Sequence, residues 1–204
     1  MGAAAGGADA DNGVSLLVAL AVASAAPVLA WEGRAVVNDG SRTIAIGVRS
    51  RMEADRIVSE TWPIVEGETK GLRRLVIPTS GAATLERGRK VVDMPPAFAV
   101  EERAQFAFYR QLQEAARRCA EKPPGMAMSD AFVVNSTSFR CRGNQLRTAA
   151  NWVAAEGSPV LQEFRIVGLW RSGEAVFPRR LEIRRDGRPF FDLDVTRFTS
   201  RQAP

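Results

Sequence analysis

The 204-residue chain contains no histidine. That absence removes Ser-His-Asp and Cys-His nucleophilic machinery, His-ligated zinc and the usual near-neutral general base. Lysine is nearly absent as well, with only Lys70, Lys90 and Lys122. No S-x-x-K spacing occurs after residue 30, and Lys122 stands beside Pro123-Pro124, so a serine–lysine hydrolase is not expected. There is no phosphate-binding glycine loop, no dinucleotide fingerprint and no zinc spacing. Neither a cofactor nor a metal is therefore expected. What remains is an ordinary globular composition, 46% apolar and 25% charged, in a length that suits one domain or two small ones.

The N-terminal region is the sharpest feature. Val14 to Ala30 runs for seventeen residues without a charge and ends Val28-Leu29-Ala30 before Trp31. Such a run is short for a membrane-spanning helix, and small residues at Val28 and Ala30 suit signal peptidase. Residues 1–30 read as a secretory signal peptide cleaved after Ala30, with an uncleaved anchor as the alternative. The leader departs from the usual pattern by carrying Asp9 and Asp11 and no basic residue before the run. Its removal would take away two negative charges and raise the net charge from +5 to +7. Export to the periplasm, or secretion, is the expected localisation. In a eukaryote, Asn135-Ser136-Thr137 would be a glycosylation acceptor.

Cys119 and Cys141 are the only cysteines. In an oxidising compartment they are expected to form one disulfide, and the chain-entropy model assigns such a loop about 3 kcal/mol. A reactive thiol is the alternative, because Arg140 and Arg142 flank Cys141.

The expected fold class is α+β: an antiparallel sheet with one long and one or two short helices, forming a single domain over 31–204. Met94-Pro95-Pro96 marks a subdivision. A hairpin is expected over 34–48 around Asn38-Asp39-Gly40. Ser50-Arg51-Met52-Glu53 reads as a capping box opening a short helix that stops before Pro63. Strands are expected at 75–77, 83–93 and 131–141. The long helix is placed at 101–121, where Val100, Ala104, Phe108, Leu112, Ala115 and Cys119 form one apolar stripe. Asn144 is expected to cap a second helix over 145–156. The tail reads as a three-stranded meander, 160–170, 175–184 and 189–198. Its last hairpin is expected to turn on Arg185-Asp186-Gly187, so that Leu181 meets Phe191 and Arg180 lies opposite Asp192.

Three constellations are candidate sites. Arg140, Arg142, Asn144 and Arg147 would bind an anion beside the disulfide, with Arg147 in the first turn of the second helix. Asp192 and Asp194 place two carboxylates on one strand face, a spacing usable for a hard cation or for acid–base chemistry. Arg179, Arg180, Arg184, Arg185 and Arg188, with Phe190, concentrate charge around the last hairpin and would also guard an edge strand.

The expected function is a non-catalytic exported module that binds an envelope protein or an anionic glycan or lipid headgroup. The alternatives are a structural subunit of a cell-envelope complex, marked by apolar patches at Trp62 or Trp170, and a hydrolase working with carboxylates alone. Nucleic acid is not an expected partner, and membrane contact is expected only through an uncleaved N-terminal segment.

Overall fold

The computed structural model describes residues 26–38, 40–121, 131–155 and 158–202. Most of the expected leader lies outside the described residues, as do Asp39, Lys122 and Glu156. One antiparallel sheet of twelve strands dominates: β1 (Val28–Asn38), β2 (Thr43–Met52), β3 (Arg56–Pro63), β4 (Arg73–Pro78), β5 (Thr84–Arg87), β6 (Lys90–Asp93), β7 (Phe132–Val134), β8 (Thr137–Arg142), β9 (Gln145–Ala155), β10 (Ser158–Ser172), β11 (Ala175–Arg185) and β12 (Arg188–Arg201). Two helices accompany it, the five-residue α1 (Gly67–Gly71) and the long α2 (Pro96–Ala120). The architecture is thus an antiparallel sheet with one long helix, richer in strand than the expected α+β balance.

The topology is two meanders joined at one seam. The strand order is β6-β5-β4-β3-β2-β1-β12-β11-β10-β9-β8-β7. Every neighbouring pair but one is consecutive in the chain, the exception being β1 against β12. Strand β6 lies at one edge and β7 at the other, and α2 follows the first and precedes the second. Twenty-five helical residues span about 37 Å, whereas twelve strands laid flat would span about 53 Å. One helix cannot roof the whole face.

Helix α2 starts at Pro96, five residues before its expected start. Proline is favoured at this position because its missing N–H would be unsatisfied there in any case. Phe108, Leu112, Ala115 and Cys119 are buried as the stripe requires, joined by Ala99, Phe106, Tyr109 and Ala116. Val100 is 54% exposed and stands off the stripe. Phe108 stacks on Phe164 at 3.9 Å and on Phe139 at 5.9 Å, which fixes the C-terminal half of α2 over β8–β10. Arg103 donates to the Pro78 carbonyl at 3.1 Å and Arg110 to the Glu53 carbonyl at 2.5 Å, tying the helix to the β4–β5 and β2–β3 connections.

Two expected helices are strands instead. Residues 50–62 form the end of β2, a turn and β3. Ser50 and Ser59 face each other across the pair, buried, with hydroxyl oxygens 2.9 Å apart, while Met52 and Ile57 are buried beside them. The period is two, and β-branched Ile57, Val58 and Thr61 favour strand. Residues 145–155 form β9, paired to β8 and β10. Gly143 has a positive φ of 62° and turns the β8–β9 hairpin, so Asn144 is a turn residue and not a cap. Arg147 accordingly lies on a strand and not at a helix N-terminus. The expected strand at 131–141 is divided by a turn at Asn135, whose φ is 53°.

The tail meander forms with slightly longer strands. Its last hairpin turns on two residues, Asp186 and Gly187, both at positive φ, and a bulge at Ile183/Arg184 restores parity. Leu181 and Phe191 share the inner face as expected, but the register is displaced by two. Leu181 pairs with Leu193, and Arg180 pairs with Asp194. Arg180 still reaches Asp192 diagonally, at 2.5 Å.

Strand β1 begins inside the apolar run. Leu29 is 2% exposed and pairs with Met52 and Ser200. Strand β1 thus includes Val28, Leu29 and Ala30, the last three residues of the expected leader.

Candidate functional site

The inner face holds a cavity of about 220 Å³. It lies between the N-terminal half of α2 and strands β1–β4 and β12. Its walls are largely apolar: Trp31, Val48, Ile46, Leu75, Phe106 and Phe191. The apolar surface continues beyond it, since Ile44 is 41% exposed on the same face of β2 as Ile46. The polar members are few and gathered: the Ser50–Ser59 hydroxyl pair, Thr61, Gln105 and Glu102.

Glu102 is the chemically distinctive group. Part of the residue reaches the surface, but its carboxyl is enclosed. Burial, and then the negative charge of Glu101, push it up to about 7, with Arg185 opposing. Arg185 is itself committed to Glu101 and lies over the Phe190 ring at 3.4 Å from its centre. Burial likewise pushes the Tyr109 hydroxyl up, against a lowering hydrogen bond with Gln105.

A raised carboxyl means that the folded state holds a proton the unfolded chain releases near pH 4.5. The contribution of this carboxyl to stability is full below about pH 4.5 and is lost as pH rises to about 7. Glu102→Gln is expected to abolish that decline, leaving the variant about 2–3 kcal/mol more stable than wild type at pH 8 and equal to it at pH 4. Urea denaturation at the two pH values measures this; equal differences at both would refute it.

The sequence-predicted anion site lies elsewhere, on the outer face of the sheet, away from α2. Arg140, Arg142 and Arg147 are exposed and line a shallow trough of about 760 Å³. Two further arginines, Arg165 on β10 and Arg184 on β11, complete its lining, together with Glu163 and Glu182. Its floor is made of small residues, Ser138, Thr148 and Ala150. Asn144 stays in the adjoining turn and does not line it. The sequence separates these arginines by up to 44 positions, and only the strand register brings them together. Arg140 pairs with Thr148, Thr148 with Arg165 and Arg165 with Glu182.

Asp192 and Asp194 are outward on β12, as their spacing requires, and both lie near Arg180, at 2.5 Å and 4.0 Å. Among the described residues no group of three or more acidic or cysteine side chains is arranged to hold a metal. The basic cluster of the last hairpin is divided. Arg179 lies over Trp170 at 4.6 Å, Arg180 pairs with the aspartates, Arg184 enters the trough, and Arg185 is turned inward to Glu101. Trp62 and Trp170 are both half-buried. The Trp62 ring covers Gly47, where an added Cβ would sit 2.2 Å from it, and Trp170 donates to the Val195 carbonyl at 3.1 Å. Cys119 and Cys141 are joined as a disulfide, with Cα atoms 5.7 Å apart, which excludes the reactive-thiol alternative for the oxidised protein.

No family model matches the chain, and no curated protein matches it. Two solved structures share its general course at 6% identity. A domain described as an outer membrane lipoprotein-sorting protein from Vibrio parahaemolyticus aligns over 87% of this chain and 86% of its own, with a TM-score of 0.47. A LolA superfamily protein from Nitrosomonas europaea aligns over 89% of each chain, with a TM-score of 0.48. At that distance no residue role passes from one chain to another.

Proposed function

We propose that the protein is an exported, non-catalytic binding module whose ligand places an apolar chain in the cavity beneath α2. The observation that supports this reading is the cavity itself. It is an apolar recess on the inner sheet face, open toward Ile44 and rimmed by few polar groups. Ligand sites are commonly of this kind: concave, mostly apolar and supplied with a few placed polar groups. Glu102, protonated below about pH 7, would there donate a hydrogen bond to a carbonyl or headgroup oxygen without bringing a charge into the recess. Absence of histidine and the pairing of Asp192 and Asp194 with Arg180 favour binding over catalysis. The apolar leader and the disulfide favour export.

A fluorescent fatty acid is the direct probe. Wild-type protein is expected to bind it saturably. Ile46→Trp and Leu75→Trp, which fill the recess, are expected to weaken binding about tenfold or more, equivalent to at least about 1.4 kcal/mol, with melting temperature retained. A folded wild type that leaves the probe free, or filled variants that bind equally well, would refute the reading.

A further inference from the structure

The outer face of β7–β10 carries a second, independent pattern. Elsewhere in the described residues several arginines are matched with carboxylates, although others, Arg73, Arg171 and Arg197 among them, have none within ion-pair distance. Arg49 meets Glu60 and Glu68, Arg74 meets Glu60 and Glu86, and Arg117 meets Glu114 and Glu121. In the trough the matching fails. Arg140, Arg142 and Arg184 have no carboxylate partner among the described residues, Arg147 reaches only the Gln145 amide oxygen, and Arg165 reaches Glu182 at 3.3 Å. Five guanidinium groups against Glu163 and Glu182 leave a local excess of +3.

Large apolar side chains flank this charge on the same face. Strand alternation puts Ala150 and Trp152 of β9 on one side, and Trp152 is 67% exposed. Val133 of β7, 60% exposed, pairs with Ser138, which pairs with Ala150. An exposed tryptophan and valine beside unpaired arginines is a wasteful surface in water. It suits the boundary of an anionic bilayer, where guanidinium groups meet lipid phosphates and an indole lies at headgroup depth.

We propose that this face docks peripherally on an anionic phospholipid bilayer, with the trough arginines holding headgroup phosphates and Trp152 seated in the interface. The site does not depend on the cavity beneath α2, which opens on the opposite side of the sheet. A linear anionic glycan could also match the charge, but it gives no reason for an exposed Trp152 and Val133.

Vesicles of phosphatidylcholine alone, and with one third phosphatidylglycerol, provide the test by co-sedimentation of the full chain. The apolar leader carries Asp9 and Asp11 and no basic residue, so a preference for the anionic vesicles cannot come from it and reports the face. Wild type is expected to partition at least about tenfold more strongly to the anionic vesicles, and to lose that preference at 0.5 M salt, where the Debye length falls to about 4 Å. Arg140→Glu with Arg165→Glu is expected to abolish the preference with unchanged melting temperature. Trp152→Phe is expected to keep the preference but remove the blue shift of tryptophan emission on binding, because the other three tryptophans are buried or half-buried. Equal partition to both vesicles, a preference that survives charge reversal, or heparin binding without vesicle binding would each overturn the proposal.

Discussion

Trp31→Ala will lower the unfolding free energy by about 3–5 kcal/mol, the cost typical of emptying a buried indole site. Trp31 is 2% exposed on β1, the strand that joins the two meanders. Its ring stacks on Phe177 of β11 at 4.5 Å and meets Tyr109 and Phe106 of α2 at 5.2 Å and 6.3 Å. One side chain therefore ties the seam of the sheet to the helix and to a strand of the second meander. The surroundings are ill placed to collapse into the vacancy, because Phe177 is held in turn by Phe198 at 5.4 Å. Trp31→Phe should cost much less, since it retains a stacked ring. Chemical denaturation of the two variants beside wild type tests this; a loss below about 1 kcal/mol for the alanine variant would show that the seam is held by its backbone pairing alone.

Opening the disulfide comes next in size. Cys119, 0% exposed in the last turn of α2, is bonded to Cys141 on β8, 22 positions on. The closed loop restricts the unfolded chain by about 3 kcal/mol. A double serine or alanine replacement is expected to reduce stability by that amount and to remove all sensitivity of the unfolding midpoint to reductant. The consequence is local as well as global. On the helix the next stacked anchor, Phe108 against Phe139, lies about three turns before Cys119, so the C-terminal half of α2 should loosen before the sheet does. Amide exchange along 112–120 reads this directly, and uniform exchange along the whole helix would contradict it.

Legibility in the sequence follows the range of the interactions involved. The tail meander is readable because its strands alternate over eight or more residues and its turn carries Asp186-Gly187. The long helix is readable from Phe108, Leu112, Ala115 and Cys119. The disulfide is readable by counting. Residues 50–62 mislead because the Ser50–Glu53 spacing imitates a helix cap, while the burial of Ser50 and Ser59 depends on their pairing across two strands. Residues 145–155 mislead because alanine and glutamine are good helix formers, and the preference is overridden only by pairing to the adjoining strands β8 and β10 on both edges. Arg140, Arg142 and Arg147 are picked out by proximity to Cys141, but Arg165 and Arg184 join them only through register. Nothing local marks the cavity: Ile46, Leu75, Glu102 and Phe191 come from four separate elements.

The seam between β1 and β12 also sets a timetable. Glu32 accepts a hydrogen bond from Thr196, 164 positions later. During synthesis the first meander can zip by neighbouring hairpins, but its innermost strand keeps one bare edge until β12 (Arg188–Arg201) has been made. Pairing at such separation is slow to form. A chain made only as far as β11 therefore keeps the edge of β1 open, and its two halves cannot share one sheet until β12 is inserted between them.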